Sequence, residues 1–334
     1  LAQARERRAV WVGATPWRRK PTPTPAEGPD PYGERDPEWL GIDWRQHLRE
    51  VQLDTSGLKP HPDSPVDPTT TPVRYAELGE GPPLLLIHGL GGCWENWLEN
   101  IPHLARNHRV IAPDLPGFGD SPMPGWEISI QSYGALVTEL CRALDIDSAA
   151  LVGNSMGGFI AAEVTVSEPL LVKKLMLVSA AGVSHARMRS EPAETAGRMA
   201  AGVAPLLLRY QEGALRRPRL RNRMIRHIIH RPSELRRELL WEIIQGGMHA
   251  PGLVAAIRGL AGYDILDRLE DVEIPTLIVW GRNDLIVPVD DAFEYARLIR
   301  GSELVIFDQC GHVPMLERPV RFNRLLDHFL AESG

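Results

Sequence analysis

The sequence predicts an α/β protein: a mostly parallel, twisted sheet flanked by helices, with an inserted helical block. Three observations carry that expectation. Short apolar runs alternate with helix-period segments from Val73 onward, the alternation stops between about Gly182 and Gly262, and it resumes at Thr276. Strand–helix alternation implies parallel strands joined by crossover helices, with helices on both faces of the sheet.

Taken in order, residues 16–37 (PWRRKPTPTPAEGPDPYGERDP) are too dense in proline and charge to bury much apolar surface, so an extended, solvated arm is expected. Trp39 to Leu48 has the pattern of a short amphipathic helix. Val73 to Leu78 and Pro83 to His88 then flank the turn Gly79-Glu80-Gly81 as two strands. The second is apolar without alternation, as in a strand covered on both faces. A helix follows near Trp94 to Arg106, then strand Arg109 to Pro113, helix Ile130 to Leu144, strand Ala149 to Gly153, a helix from Ser155, and strand Lys174 to Ser179. After the helical block come strand Thr276 to Trp280, helix Pro288 to Ile299, strand Glu303 to Phe307 and a terminal helix Pro319 to Leu330. The expected partition is an N-terminal extension over 1–48, partly an extended arm, a core over 49–182 and 263–334, and a helical cap over 183–262.

Composition narrows the function. A net charge of −6 with no domain-scale basic excess gives no reason to expect a nucleic-acid partner. No apolar run reaches the roughly 18 residues of a membrane-spanning helix. Cys93, Cys141 and Cys310 are odd in number and widely spaced, which suggests neither a disulfide framework nor a zinc site. A cytoplasmic protein is expected, and a start at Leu1 leaves room for a removed leader. The interval 183–262 holds fourteen arginines and six acidic residues. Such a run is commonly a solvated helix face, or else a surface for an anionic substrate, a lipid headgroup or an acidic partner.

The chemistry concentrates at strand ends. Gly153-Asn154-Ser155-Met156-Gly157 runs from an apolar strand into a helix, a G-x-S-x-G turn that stands a serine hydroxyl at the strand end. The helix behind it directs its first amides at developing negative charge. His88-Gly89-Leu90-Gly91-Gly92 follows another strand, and the N–H groups of Leu90 and Met156 form the expected oxyanion pair. His88, Gly89 and Gly91 support that loop. A serine hydroxyl needs a neutral imidazole to take its proton. Of eleven histidines, His312 stands after the last strand in Cys310-Gly311-His312-Val313-Pro314. Asp284 follows the preceding strand and is the expected orienting acid, with Asp290 and Asp291 as rivals. The order Ser155, Asp284, His312 is that of hydrolases built on this kind of sheet.

HGLGG (88–92), DLPGFGDS (114–121), GNSMGG (153–158), GRNDLIVP (281–288) and CGHVPMLERP (310–319) together resemble the α/β-hydrolase superfamily. The likeness runs from about Val73 to Leu330 apart from the helical block, and it leaves Asp114 and Asp120 structural. A serine in the elbow disfavours epoxide opening and dehalogenation, which the superfamily performs with an aspartate nucleophile. GNSMGG and the His312 region also look like the meta-cleavage-product hydrolases, which split carbon–carbon bonds. Those proteins usually carry tryptophan directly after the histidine, where this chain has Val313, and their oxyanion loop is richer in glycine and proline. The resemblance therefore implies a carboxylic-ester hydrolase first and a C–C hydrolase second. The cap would shape a pocket for a small ester or related acyl substrate, with Met188, Met199, Met224 and Met248 as candidate lining. A binding protein without catalysis, or a transferase, perhydrolase or lyase, are the remaining readings. No cofactor or metal is expected.

Overall fold

The computed structural model describes residues 30–34, 36–184, 217, 223 and 225–332. Eight strands form one sheet: β1 (Leu48–Asp54), β2 (Thr70–Leu78), β3 (Pro83–Ile87), β4 (Arg109–Pro113), β5 (Ala149–Asn154), β6 (Val172–Val178), β7 (Thr276–Gly281) and β8 (Glu303–Phe307). Their order is β1-β2-β4-β3-β5-β6-β7-β8. β2 runs antiparallel to both β1 and β4, and every other pairing is parallel. The predicted fold class is the observed one.

Burial on both faces explains the apolar strands. Along β3, Leu84 and Leu86 join one core cluster while Leu85 and Ile87 join the other, as successive side chains must. β7 does the same, with Leu277 and Val279 on one face and Ile278 and Trp280 on the opposite one. One face is covered by α2 (Ile130–Ala143), α3 (Met156–Ser167) and α6 (Asp290–Leu298); on the other lie α1 (Ile101–Leu104), α7 (Pro314–Glu317) and α8 (Pro319–Ala331). The start of α2 is fixed by Ser129 and Ser132, each hydroxyl accepting the other's main-chain N–H at 3.0 and 2.8 Å. α3 is buried from Met156 to Thr165, with Glu163 paired to Tyr263 and Arg268, so the element behind Ser155 sits inside the protein.

Two expectations are corrected. Trp39 to Leu48 is not a helix: short 3-10 turns at Glu38–Gly41 and Trp44–Gln46 lead into β1, an unpredicted edge strand in which only Leu53 is buried. Gly41 and the extended Ile42 break the helical pattern. The helix expected over Trp94 to Arg106 is likewise a 3-10 turn, Trp94–Trp97, followed by α1, with Pro102 starting the second piece.

Between β6 and β7 the described residues include α4 (Arg237–Met248) and α5 (Leu253–Leu260). Leu239 and Leu240 pack in the cluster that holds Trp94 and Trp97. Met188, Met199, Met224 and most of the arginine-rich stretch lie outside the described residues. Among those described, no helix is long and apolar enough to cross a membrane, and no group of three or more His, Cys, Asp or Glu side chains could hold a metal ion.

Candidate active site

Ser155 ends β5 and opens α3 with φ 57° and ψ −120°, a conformation L-residues rarely adopt. Close approach of main chains forces the turn. A Cβ at Gly153 would lie 2.2 Å from the carbonyl oxygen of Gly157, and one at Gly157 would lie 2.2 Å from that of Ile87. Only glycine at both positions lets β5, α3 and β3 come this close, which is the physical content of the G-x-S-x-G spacing. Ser155 is itself buried.

The loop after β3 lies against the serine. A Cβ at Gly89 would stand 2.9 Å from Ser155 Cβ and 3.4 Å from its Oγ. Gly91 has φ 68°, a left-handed turn that glycine takes without strain. Among the described residues, neither the Leu90 nor the Met156 N–H has a main-chain acceptor, so both donors remain available beside Ser155.

His88 is fully buried and braces this loop. The Leu115 N–H donates to its Nε2 at 2.9 Å, so Nδ1 must carry the ring proton, which it donates to the Gly89 carbonyl at 2.8 Å. Burial pushes its pKa down to about 4, which keeps the ring neutral near pH 7. Asp114 is equally structural. Its two oxygens accept the N–H groups of Trp94 (2.8 Å) and Asp120 (2.9 Å), joining the loops after β3 and β4.

Asp284 and His312 follow the neighbouring strands β7 and β8. His312 Nδ1 lies 2.8 Å from Asp284 Oδ2, and both side chains are almost wholly shielded from solvent. The other oxygen, Oδ1, accepts the N–H groups of Ile286 (2.8 Å) and Val287 (3.0 Å), which fixes the carboxylate plane. The rivals are accounted for elsewhere: Asp291 accepts the main-chain N–H and hydroxyl of Ser184, and Asp290 is exposed at the start of α6.

Asn154 joins the serine and histidine elements, its Nδ2 donating to the carbonyls of Val178 (3.0 Å) and His312 (3.1 Å). The Ser155 hydroxyl is not hydrogen-bonded to the His312 ring in this resting arrangement. Asn154 was not singled out by sequence reasoning, although an amide just before the elbow serine was a readable signal. Two further contacts bring α4 and α5 over the same loops. A Cβ at Gly247 would lie 2.6 Å from the Gly91 carbonyl oxygen, and the Gly252 N–H donates to the Gly117 carbonyl at 2.9 Å.

Fold and site thus bring an elbow serine, a histidine–carboxylate pair and, among the described residues, two main-chain N–H groups without main-chain acceptors to adjoining strand ends. The α/β hydrolase fold family model matches residues 82–319, and the chain belongs to that family. It is 33% identical over 271 residues to the 2-hydroxy-6-oxo-6-phenylhexa-2,4-dienoate hydrolase of Comamonas testosteroni, covering 78% of this chain and 91% of that protein. The structure is similar to that of an esterase from Thermogutta terrifontis (TM-score 0.67, 27% identity, 84% of this chain and 98% of that one). It is also similar to a meta-cleavage product hydrolase from Pseudomonas fluorescens IP01 (TM-score 0.65, 25% identity, 85% and 98%).

Proposed function

We propose that this hydrolase cleaves a carbon–carbon bond next to a ketone in a conjugated dienoate, using Ser155 as nucleophile, His312 as base and Asp284 as its orienting acid. The observation that carries the triad is the buried 2.8 Å contact between His312 Nδ1 and Asp284 Oδ2 one strand end from another. The carboxylate accepts the Nδ1 proton and leaves the Nε2 lone pair to draw the proton from Ser155 Oγ. Such contacts commonly tighten only when substrate is bound, which accommodates the unbonded serine of the resting structure.

Attack by Oγ on the ketone gives an alkoxide, received by the N–H groups of Leu90 and Met156, each worth about 3 kcal/mol of barrier. Transfer of the substrate's enol proton to the carbon next to the ketone first gives the 2-oxo-3-ene tautomer; collapse then expels that carbon as a carbanion delocalised into the 2-oxo group, and the His312 imidazolium returns a proton to it. Water, deprotonated by His312, then hydrolyses the acyl-Ser155 ester. Within the interval 183–262, the described helices α4 and α5 act as a cap over this centre, a reading supported by the contacts of Gly247 and Gly252 with the loops after β3 and β4. The core is then 49–182 with 263–334, and residues 1–48 form the N-terminal extension.

Sequence reading ranked ester hydrolysis above C–C hydrolysis; the 33% identity to a dienoate hydrolase over most of both chains favours the reverse order. Ester hydrolysis stays as the second reading because Val313 stands where tryptophan is usual, and because of the likeness to an esterase. The discriminating experiment follows loss of the dienoate colour of 2-hydroxy-6-oxo-6-phenylhexa-2,4-dienoate beside 4-nitrophenol release from short-chain esters. Faster kcat/KM on the dienoate, abolished by Ser155→Ala, is expected. Rapid ester turnover with an inert dienoate would restore the original ranking, and full activity of Ser155→Ala would end the triad assignment.

A further inference from the structure

Glu317 is a wholly buried carboxylate that the proposed chemistry does not use. It gathers three separate parts of the chain. Its Oε1 accepts the N–H of Gly311, the residue before His312, at 2.9 Å. Its Oε2 accepts the N–H of His230 at 2.9 Å and the hydroxyl of Tyr32. Tyr32 Oη in turn accepts the N–H of Arg231 at 2.7 Å. The stretch 228–231 also grips the histidine loop directly, since the Ile228 carbonyl accepts the His312 N–H at 2.8 Å.

The segment bearing Tyr32 is itself tied down. The Gly33 N–H donates to the Glu317 carbonyl at 2.9 Å, the Arg318 guanidinium lies 5.0 Å over the Tyr32 ring, and Arg321 pairs with Asp30 at 3.5 Å. Arg236 donates to the Glu34 carbonyl at 3.2 Å. Residues 30–34, expected from composition to be part of a solvated arm, instead lie across the junction of the histidine loop and the stretch before α4.

We infer that residues 30–34 form a strap acting through Glu317, which makes Tyr32 and Glu317 positioning residues for His312. The inference rests on the reading of His312 as the catalytic base. Neither residue touches substrate. With the Tyr32 hydroxyl in place, the carboxylate has a donor on each side and holds Gly311 and His230 at a fixed separation. Without it, the Arg231 N–H loses its acceptor and the loop gains freedom to carry the imidazole away from Ser155. Displacements on this scale, made outside the reacting groups, can cost up to about a hundredfold in rate.

The test uses Tyr32→Phe, which keeps the ring under Arg318 and deletes one oxygen, and Glu317→Gln. Expected is a roughly tenfold fall in kcat and in the rate of Ser155 labelling by a fluorophosphonate, with KM little changed. The downfield proton resonance of the His312 Nδ1–H should shift in both variants. Unchanged labelling and an unmoved resonance in a folded Tyr32→Phe protein, even with a lowered Tm, would overturn the strap's positioning role. Hydrogen exchange on the unaltered protein gives an independent reading that needs neither variant nor turnover. Peptides covering 30–34, 228–231 and 310–318 should open in one cooperative step, and separate opening also overturns the inference. An unaltered protein that the fluorophosphonate fails to label would instead refute the catalytic reading, leaving the exchange and resonance data to decide the mechanical link.

Discussion

The Asp284 carboxylate meets the His312 ring at 2.8 Å while its second oxygen holds two main-chain N–H groups, so the carboxylate is oriented independently of the imidazole it meets. Asp284→Asn should leave this frame standing, but a side-chain amide can present its NH₂ to Nδ1 and select the tautomer with its proton on Nε2. That ring cannot accept a proton from Ser155. We expect kcat to fall by roughly 10³–10⁴-fold with little change in KM or Tm. A loss below tenfold on both dienoate and ester would remove Asp284 from the triad.

The strained elbow makes a stability prediction separable from catalysis. Ser155 at φ 57° carries a conformational cost that Ala shares and Gly escapes. Both Ser155→Ala and Ser155→Gly should be inactive, with the glycine variant more stable than the alanine variant by about 1 kcal/mol. Equal urea midpoints for the two would show that the turn is unstrained.

The sheet and the strand-end motifs were legible because both are local. β3, β5 and β7 announce themselves as apolar runs covered on both faces, and each motif residue follows its strand within a few positions. β1 was not legible, because a half-exposed edge strand with Leu53 as its only buried residue gives a weak period. Asp284 was preferred to Asp291 for its place directly after the strand Thr276 to Trp280, but only coordinates reveal that Asp291 is engaged by Ser184. Tyr32 and Glu317 lie 285 positions apart, and no local pattern in a proline-rich segment signals a partner at that distance.

The contact between α4 and the oxyanion loop can be probed without altering any side chain proposed to react. At Gly247 an added methyl would press on the Gly91 carbonyl, two peptide units from the Leu90 N–H. Gly247→Ala should therefore lower kcat by roughly tenfold for dienoate and ester alike, since both need the same oxyanion donors. Stopped-flow measurement of acylation checks this. An unchanged acylation rate would mean that α4 yields without disturbing the loop.

Glu99 is buried between the 3-10 turn Trp94–Trp97 and α1, and its Oε1 has no hydrogen-bond partner among the described residues. Desolvation, with a smaller push from the Glu34 charge, raises its pKa to about 7. The folded chain thus keeps a proton that the unfolded chain releases near the ordinary glutamate value of about 4.3. Its contribution to stability is whole below that value and is lost as pH rises through 7. A glutamine there stays neutral at every pH. Glu99→Gln should match the parent near pH 4 and gain stability as pH rises, reaching on the order of 3 kcal/mol at pH 8. Urea denaturation at pH 4.5, 6 and 8 measures the trend, and a stability difference that stays constant across that range would mean Glu99 titrates alike in the folded and unfolded chains.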